Sequence, residues 1–266
     1  MAVPHAYQNV LDALTRDIQN GTYQPGDPIP PVRELAEQHR VSPSTARQAT
    51  AELQRMGLVW SGYRDGRRGI FVRSQGRTDF YATDALRLGR LGSGSDAFTE
   101  NALKVGRDPS IDFTMVMRVP PQDVAARLGL DVDEIVVERT SLQRLDGEPW
   151  SRERSWYPMD LAREVGLDTP HTIEQGTLRL LAESGYQETA FRDETTDEPA
   201  DVEAANDLAV IPGAPLLVQT RTAATDTRVT RVTRTVRHGG RNRLIWETGS
   251  DTGIQVIRDQ IRKGRP

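Results

Sequence analysis

Hydrophobic positions in the first quarter of the chain recur every three or four residues. Tyr7, Val10, Leu11, Leu14 and Ile18 mark a helix over 6–20. Gly21 and the Pro25-Gly26 turn end it. Pro30-Pro31 opens a second helix, with Val32, Leu35, Ala36 and His39 turned inward and His39 packed or half-buried. After the short "RVS" turn, Ser42 is placed to cap a third helix running from about 43 to 56. Its apolar stripe is Ala46, Ala49, Leu53 and Met56. Ser44, Arg47, Gln48, Ala51 and Arg55 lie on the other side. The small residues Ala36, Ala46 and Ala49 let these helices cross closely. "LVW" and "GIFVR" then read as two short strands joined by "SGYRDGRR". Three helices and a basic two-stranded wing predict a winged helix-turn-helix.

The pattern changes downstream. Residues 74–106 are polar, Gly/Ser-rich in the middle, and read as a linker with a short helix over 80–88. "IDFTMVMRV" is strand-like, and "PPQDVAARLGL" is a short helix. "EIVVERTSLQRL" and "PWSRERSWY" flank Asp146-Gly147, a strong hairpin signal. Helices are expected near 158–166 and 171–184. A strand follows at "ETAFRDETTD" and a helix at "PADVEAANDLAV", with strands at "PLLVQTRTAAT", "TRVTRTVRHG" and "NRLIWETG", the last forming a meander. "QDVAARLGLDVDEIVVERTSLQRLDGEPWSRERSWYP" and "ADVEAANDLAVIPGAPLLVQTRTAATDTRVTRVTRTV" share one order of helix, strand, hairpin and strand. Two such units are expected to close around one antiparallel sheet, with helices on one face and a cleft between the halves. The fold class is α+β. The expected division is a winged helix-turn-helix domain at 1–73, a linker at 74–106, an α+β domain at 107–254, and a tail at 255–266.

Charge sharpens this division. Residues 1–78 hold ten arginines against seven acids, whereas the remainder holds 24 basic against 31 acidic residues. A mildly basic head therefore sits on an acidic body, and a field of that size does not by itself mark a DNA binder. The absence of cysteine excludes disulfides, thiolate metal sites and cysteine nucleophiles. The chain start has neither the basic region nor the apolar core of a secretion signal, and no apolar run approaches the ~20 residues of a membrane span. A cytoplasmic location without membrane contact is the expectation. His5, His39, His171 and His238 have no metal-ligand spacing, no phosphate-binding loop is present, and no acid sits in a recognisable catalytic frame. Neither catalysis nor a cofactor is expected.

Candidate contacts follow from position. Arg47 shares a turn with Ser44, Thr45 and Gln48 near the helix start that such motifs place in the major groove. Arginine pairs with guanine edges, while serine and threonine more often meet phosphate. Arg33, at the start of the second helix, is either a DNA contact or a surface partner of Glu37. Arg64, Arg67 and Arg68 are either an ordinary wet loop or a wing on the phosphates or in the minor groove. In the body, Arg139 either pairs with Glu153 on the hairpin partner or points into the cleft to bind a carboxylate or phosphate. Tryptophans here are more often core than ligand platforms, and Trp156 is kept as a pocket candidate.

The stretch "GTYQPGDPIPPVRELAEQHRVSPSTARQATAELQRMGLV" resembles the DNA-binding domain of the GntR superfamily of bacterial repressors, over about residues 6–73. By this resemblance Arg33, Ser44, Thr45 and Arg47 fall on DNA-contacting positions and Gly69 on the wing glycine. Three departures stand out: Ile29 and Pro31 replace a leucine and a serine, Pro43 replaces an arginine, and the wing is longer and lacks its threonine. Residues 108–250 resemble the chorismate-lyase-like UTRA domain of the histidine-utilisation-repressor branch. The anchor is "DGEPWSRERSWYP", with Gly147, Pro149, Glu153 and Pro158 in the family pattern. The resemblance implies that Glu153 and arginines of the preceding strand, Arg139 and Arg144, line an effector pocket. The family's closing tyrosine-arginine-glycine-aspartate segment is replaced by "ETGSDTG".

The expected function is a ligand-responsive transcription regulator. It would be a homodimeric repressor on double-stranded operator DNA, released by a small polar metabolite that is carboxylated or phosphorylated. The alternative is an effector-independent architectural or plasmid-maintenance DNA-binding protein, which ligand-dependent release of DNA would distinguish.

Overall fold

A computed structural model describes residues 5–64, 66–74, 78–82, 97–104, 106–173 and 176–263. The head is built from α1 (His5–Gln19), α2 (Val32–Gln38) and α3 (Pro43–Arg55). Val10, Leu14, Leu35, Ala46, Ala49 and Leu53 are the centre of its core. Ser42 caps α3, accepting from Thr45 N at 3.1 Å. Met56, expected inward, is the C-cap residue and is exposed, because the helix ends before its side chain reaches the core.

The wing pairs β1 (Val59–Arg64) with β2 (Arg67–Val72), with Arg64 opposite Arg67. Both strands run further into "SGYRDGRR" than the sequence pattern suggests. Gly62 and Gly69 face each other across the ribbon. A Cβ at Gly62 would come 2.4 Å from the Trp60 ring, and one at Gly69 3.0 Å from that of Phe71. The two glycines thus make room for rings packed 5.1 Å apart, centroid to centroid.

Within 74–106, residues Thr78–Tyr81 form β3 and Ala97–Lys104 form α4. Where a helix is expected over 80–88, Phe80 and Tyr81 are in strand β3 and Ala82 is a turn, and residues 83–88 lie outside the described residues.

The body is a six-stranded antiparallel sheet in the order β4-β5-β6-β9-β8-β7. Its strands are β4 (Pro109–Arg118), β5 (Val136–Leu145), β6 (Glu148–Pro158), β7 (Ala190–Pro199), β8 (Pro215–Ala224) and β9 (Val229–His238). Helix α5 (Gln122–Leu128) joins β4 to β5, and α8 (Val202–Asp207) joins β7 to β8. The internal echo is therefore a β-α-β-β unit used twice. The copies meet at β6 and β9, where Arg154 stands opposite Arg234. Asp146 and Gly147, with φ of 52° and 78°, make the β5–β6 turn.

Helices cover both faces, not one. Helices α5 and α8 pack against Val136, Trp156, Val218 and Val232 on one face. On the other face, α6 (Met159–Val165) and α7 (Thr177–Glu183) cover Val137 and Tyr157. The expected meander stops at β9. Strand β10 (Asn242–Ile245) leaves the sheet and pairs in parallel with β3. The tail is mostly helical, as α9 (Asp251–Lys263).

Candidate DNA interface and effector face

The exposed start of α3 carries Ser44, Arg47 and Gln48 beside the half-buried Thr45. Ser42 Oγ shares hydrogen bonds with the hydroxyls of Ser44 at 2.7 Å and Thr45 at 2.8 Å. This hydroxyl cluster at the start of α3 suits a phosphate, while Arg47 projects beyond it. Arg33 is exposed and only loosely tied to Glu37, at 3.3 Å one turn along. An exposed pair of this kind is worth little, so Arg33 remains available.

The wing arginines divide. Arg67 and Arg68 are exposed. Arg64 folds back, its guanidinium against the backbone of Gly26 and its stem toward Gly147 of the β5–β6 hairpin. Arg64 and Arg144 both line a cleft of about 750 Å³ between wing and body, together with Trp60, Tyr63, Asp146 and Asp207.

The expected effector residues do not converge. Arg139 does not pair with Glu153. It is buried over the Phe113 ring and donates to the carbonyls of Leu167 at 2.9 Å, Thr169 at 3.0 Å and His171 at 2.6 Å. Three orphan carbonyls after α6 are thereby satisfied by one side chain. Arg144 is bound to Asp112 at 2.8 Å and belongs to the wing cleft. Trp156 packs with Val124 and Leu128 and donates Nε1–H to Glu138 at 2.8 Å. Strand alternation puts it on the opposite face from Glu153.

The face that carries Glu153 is unusually polar for a covered sheet. Buried on it are Gln143, Ser151, Thr235, Gln219, Arg221 and Arg237. Arg221 is held by Asp193 at 2.7 Å through two nitrogens, and Arg231 on the same face is held by Glu188 at 2.8 and 3.0 Å. Arg237 differs. Among the described residues its guanidinium has one hydrogen bond, to Gln219 at 3.2 Å, and no ion pair, with the Phe80 ring 4.4 Å away. Burial holds its pKa down at about 10, partly countered by Glu153 and reinforced by Arg221. Glu153 makes no hydrogen bond among the described residues. Arg237 was missed by sequence reasoning; the signal available was an arginine in the period-two run "TRVTRTVRH".

Two family models match this chain. The model described as "Bacterial regulatory proteins, gntR family" covers residues 6–72, and that for the UTRA domain covers 104–242. The chain belongs to the GntR family and carries a UTRA domain. It is therefore a DNA-binding regulator with an effector-type domain, not an enzyme. The HTH-type transcriptional repressor NagR of Bacillus subtilis (strain 168) is 28% identical over 219 residues, 81% of this chain and 83% of that protein. The HTH-type transcriptional regulator GmuR of the same organism is 24% identical over 167 residues, 62% of this chain and 65% of that one. The crystal structure of PhnF from Mycobacterium smegmatis has the same fold, with a TM-score of 0.54 and 22% identity over 91% of this chain and all (100%) of that one.

In this GntR-family chain no group of three or more His, Cys, Asp or Glu side chains is placed to hold a metal among the described residues. Among them no helix is long and apolar enough to cross a membrane. The polar sheet face and the start of α3 lie in the two parts of the chain that the UTRA and GntR models match, respectively.

Proposed function

We propose that this chain is a homodimeric repressor that leaves its operator when a small anionic metabolite binds the polar face around Arg237 and Glu153. Residues 1–73 serve as the reading head and 107–254 as the sensor and dimerisation domain. The observation that carries the reading is Arg237, a buried guanidinium with no carboxylate against it among the described residues. A buried cation with no carboxylate in direct contact is costly, and a ligand carboxylate or phosphate lowers that cost. Glu153, on the same face, is then placed to accept from a ligand hydroxyl or amine. The relative NagR carries the name of a repressor, which favours that sign of regulation.

Release requires that the ligand bind one arrangement of the heads better than another. Strands β6 and β9 offer a route. Ser151 and Arg237 lie on the polar face, and three and four residues away Glu148 and Arg241 hold the junction with the head. The test begins with selection of bound genomic fragments by the purified chain. Phosphorylated and carboxylated metabolites are then screened for release of the selected fragment. One class should release it, and Arg237→Ala should keep DNA binding while losing release. Fragment binding that no metabolite alters would favour the effector-independent architectural alternative.

A further inference from the structure

Strand β3 touches two of the buried arginines on the polar face. The Arg237 guanidinium lies over the Phe80 ring, its carbon 4.4 Å from the ring centre, and Arg221 Nη2 donates to the Ala82 carbonyl at 3.2 Å. Further ties of β3 run to the C-terminal segment. Asp79 accepts two hydrogen bonds from Arg243, each of 2.8 Å, and the Ala82 N–H donates to the Ile245 carbonyl at 2.9 Å. The Arg258 guanidinium of α9 lies 5.1 Å from the centre of the Tyr81 ring. Toward the head, β3 begins four residues after Ser74, whose hydroxyl donates to Glu148 at 3.3 Å. Along the chain β3 therefore stands between the junction with the head and the sensor sheet, and it rests on the sensor arginines.

Arginine packs on an aromatic ring and grips an anion with its N–H donors at the same time. Arg221 and Arg231 already spend donors on Asp193 and Glu188. Arg237 donates once, from Nη1 to Gln219 at 3.2 Å, and its Nε and Nη2 make no hydrogen bond among the described residues. A long side chain held so loosely keeps much of its rotamer freedom, and an ion pair removes it. We propose that Phe80 is the positioning residue that reports an anion at Arg237 to the head. The anion fixes the guanidinium, the fixed guanidinium holds the Phe80 ring, and β3 is fastened across the polar face. Fastening favours one arrangement of the heads over another, which is the difference that release requires. The inference rests on the reading of Arg237 as the anion site and names the contact through which that site acts.

An acid built into the full-length chain tests this without a metabolite. Gln219→Glu sets a carboxylate beside Arg237, so that with Asp193 two acids face Arg221 and Arg237. It should lower affinity for the selected genomic fragment about tenfold and slow hydrogen exchange of the 78–82 amides about tenfold. Phe80→Leu keeps an apolar side chain but no ring, and should abolish both effects, so that the double variant matches Phe80→Leu alone. Phe80→Tyr keeps the ring and should leave both effects in place. If Gln219→Glu keeps its full effect beside Phe80→Leu, Phe80 is merely structural, which overturns the inference and leaves release by an anion standing. If Gln219→Glu melts like wild type yet changes neither quantity, Arg237 is not the release site, and the inference falls with that reading. A second cycle does not depend on burying an acid. Arg237→Ala and Phe80→Leu remove the same contact, so each should speed exchange of the 78–82 amides about threefold, and the pair together no more than either. Effects that add overturn the inference.

Discussion

Arg73, the first residue after the wing, donates to the Glu148 carboxylate at 2.8 Å, and both side chains are almost wholly buried. Arg73 also bonds the carbonyls of Val59, at 3.1 Å, and Ala209. Arg241 grips the same carboxylate from β10's approach, with Nη2 at 3.0 Å and its guanidinium 4.3 Å over Trp150. One acid therefore serves two buried arginines at the point where head and sensor meet. Burial holds the Arg73 pKa down at about 10, and the neighbouring Arg241 adds to that while Glu148 opposes it.

Removing Glu148 takes the shared carboxylate away from two buried arginines, Arg73 and Arg241. Glu148→Ala is expected to destabilise the protein by about 3–5 kcal/mol. Glu148→Gln should cost less, because the amide oxygen still accepts one arginine. Denaturant unfolding of the full chain measures both. Near-native stability of the alanine variant would mean that water enters the junction and that it does not fix the head.

At the head, Arg47→Ala should lower affinity for the selected fragment by about 1–3 kcal/mol and relax preference at one base pair, with melting unchanged. Replacing Arg67 and Arg68 by alanine should weaken all duplexes about equally and reduce the salt slope by about 1 for each phosphate no longer neutralised. Arg64→Ala should leave the salt slope nearly as it was, because that side chain is folded onto Gly26. Titrations at several salt concentrations on matched and mutated duplexes separate these outcomes.

Local signals made the head legible. Ser42 before Pro43, the Ala46-Ala49-Leu53 stripe and the glycines of the wing each act over a few residues. Asp146-Gly147 fixed the hairpin for the same reason, since both positions need positive φ. The repeated unit was visible because its order of elements repeats. What stayed hidden depends on contacts between distant segments. Nothing near Arg139 reveals that residues 167–171 will offer it carbonyls. Trp156 and Glu153 differ by an odd number of strand positions, which separates their faces, but a sheet covered on both sides lacks the alternation that would have shown which face was polar. The pairing of β3 with β10 joins segments more than 150 residues apart.

Arg139 and Arg237 give opposite expectations. Arg139→Ala frees three carbonyls at a buried site and should destabilise the full chain by about 2 kcal/mol or more, seen as a lower melting temperature. Arg237→Ala removes a cation held by a single hydrogen bond and should melt near wild type, or slightly higher. Thermal unfolding of both variants without added metabolite decides this. Equal losses would place Arg237 among the structural arginines and remove the support for an anion beside it.

His238 ends β9 beside the same junction. Its Nδ1 is buried without a hydrogen-bond partner among the described residues. Burial first, then Arg73 and Arg241, push its pKa down to about 4. The unfolded chain, with an ordinary histidine near 6.5, therefore binds a proton that the folded one refuses. Its contribution to stability is complete above pH 6.5 and is lost as pH falls from there toward 4. His238→Gln removes that linkage and should flatten stability between pH 7.5 and 5, by on the order of 1 kcal/mol after allowing for solvent screening at this half-buried site. The comparison belongs above pH 5, where few carboxylates titrate. Unfolding of both proteins at pH 7.5 and 5 is the measurement, and parallel losses would show that protonated His238 is tolerated beside Arg73 and Arg241.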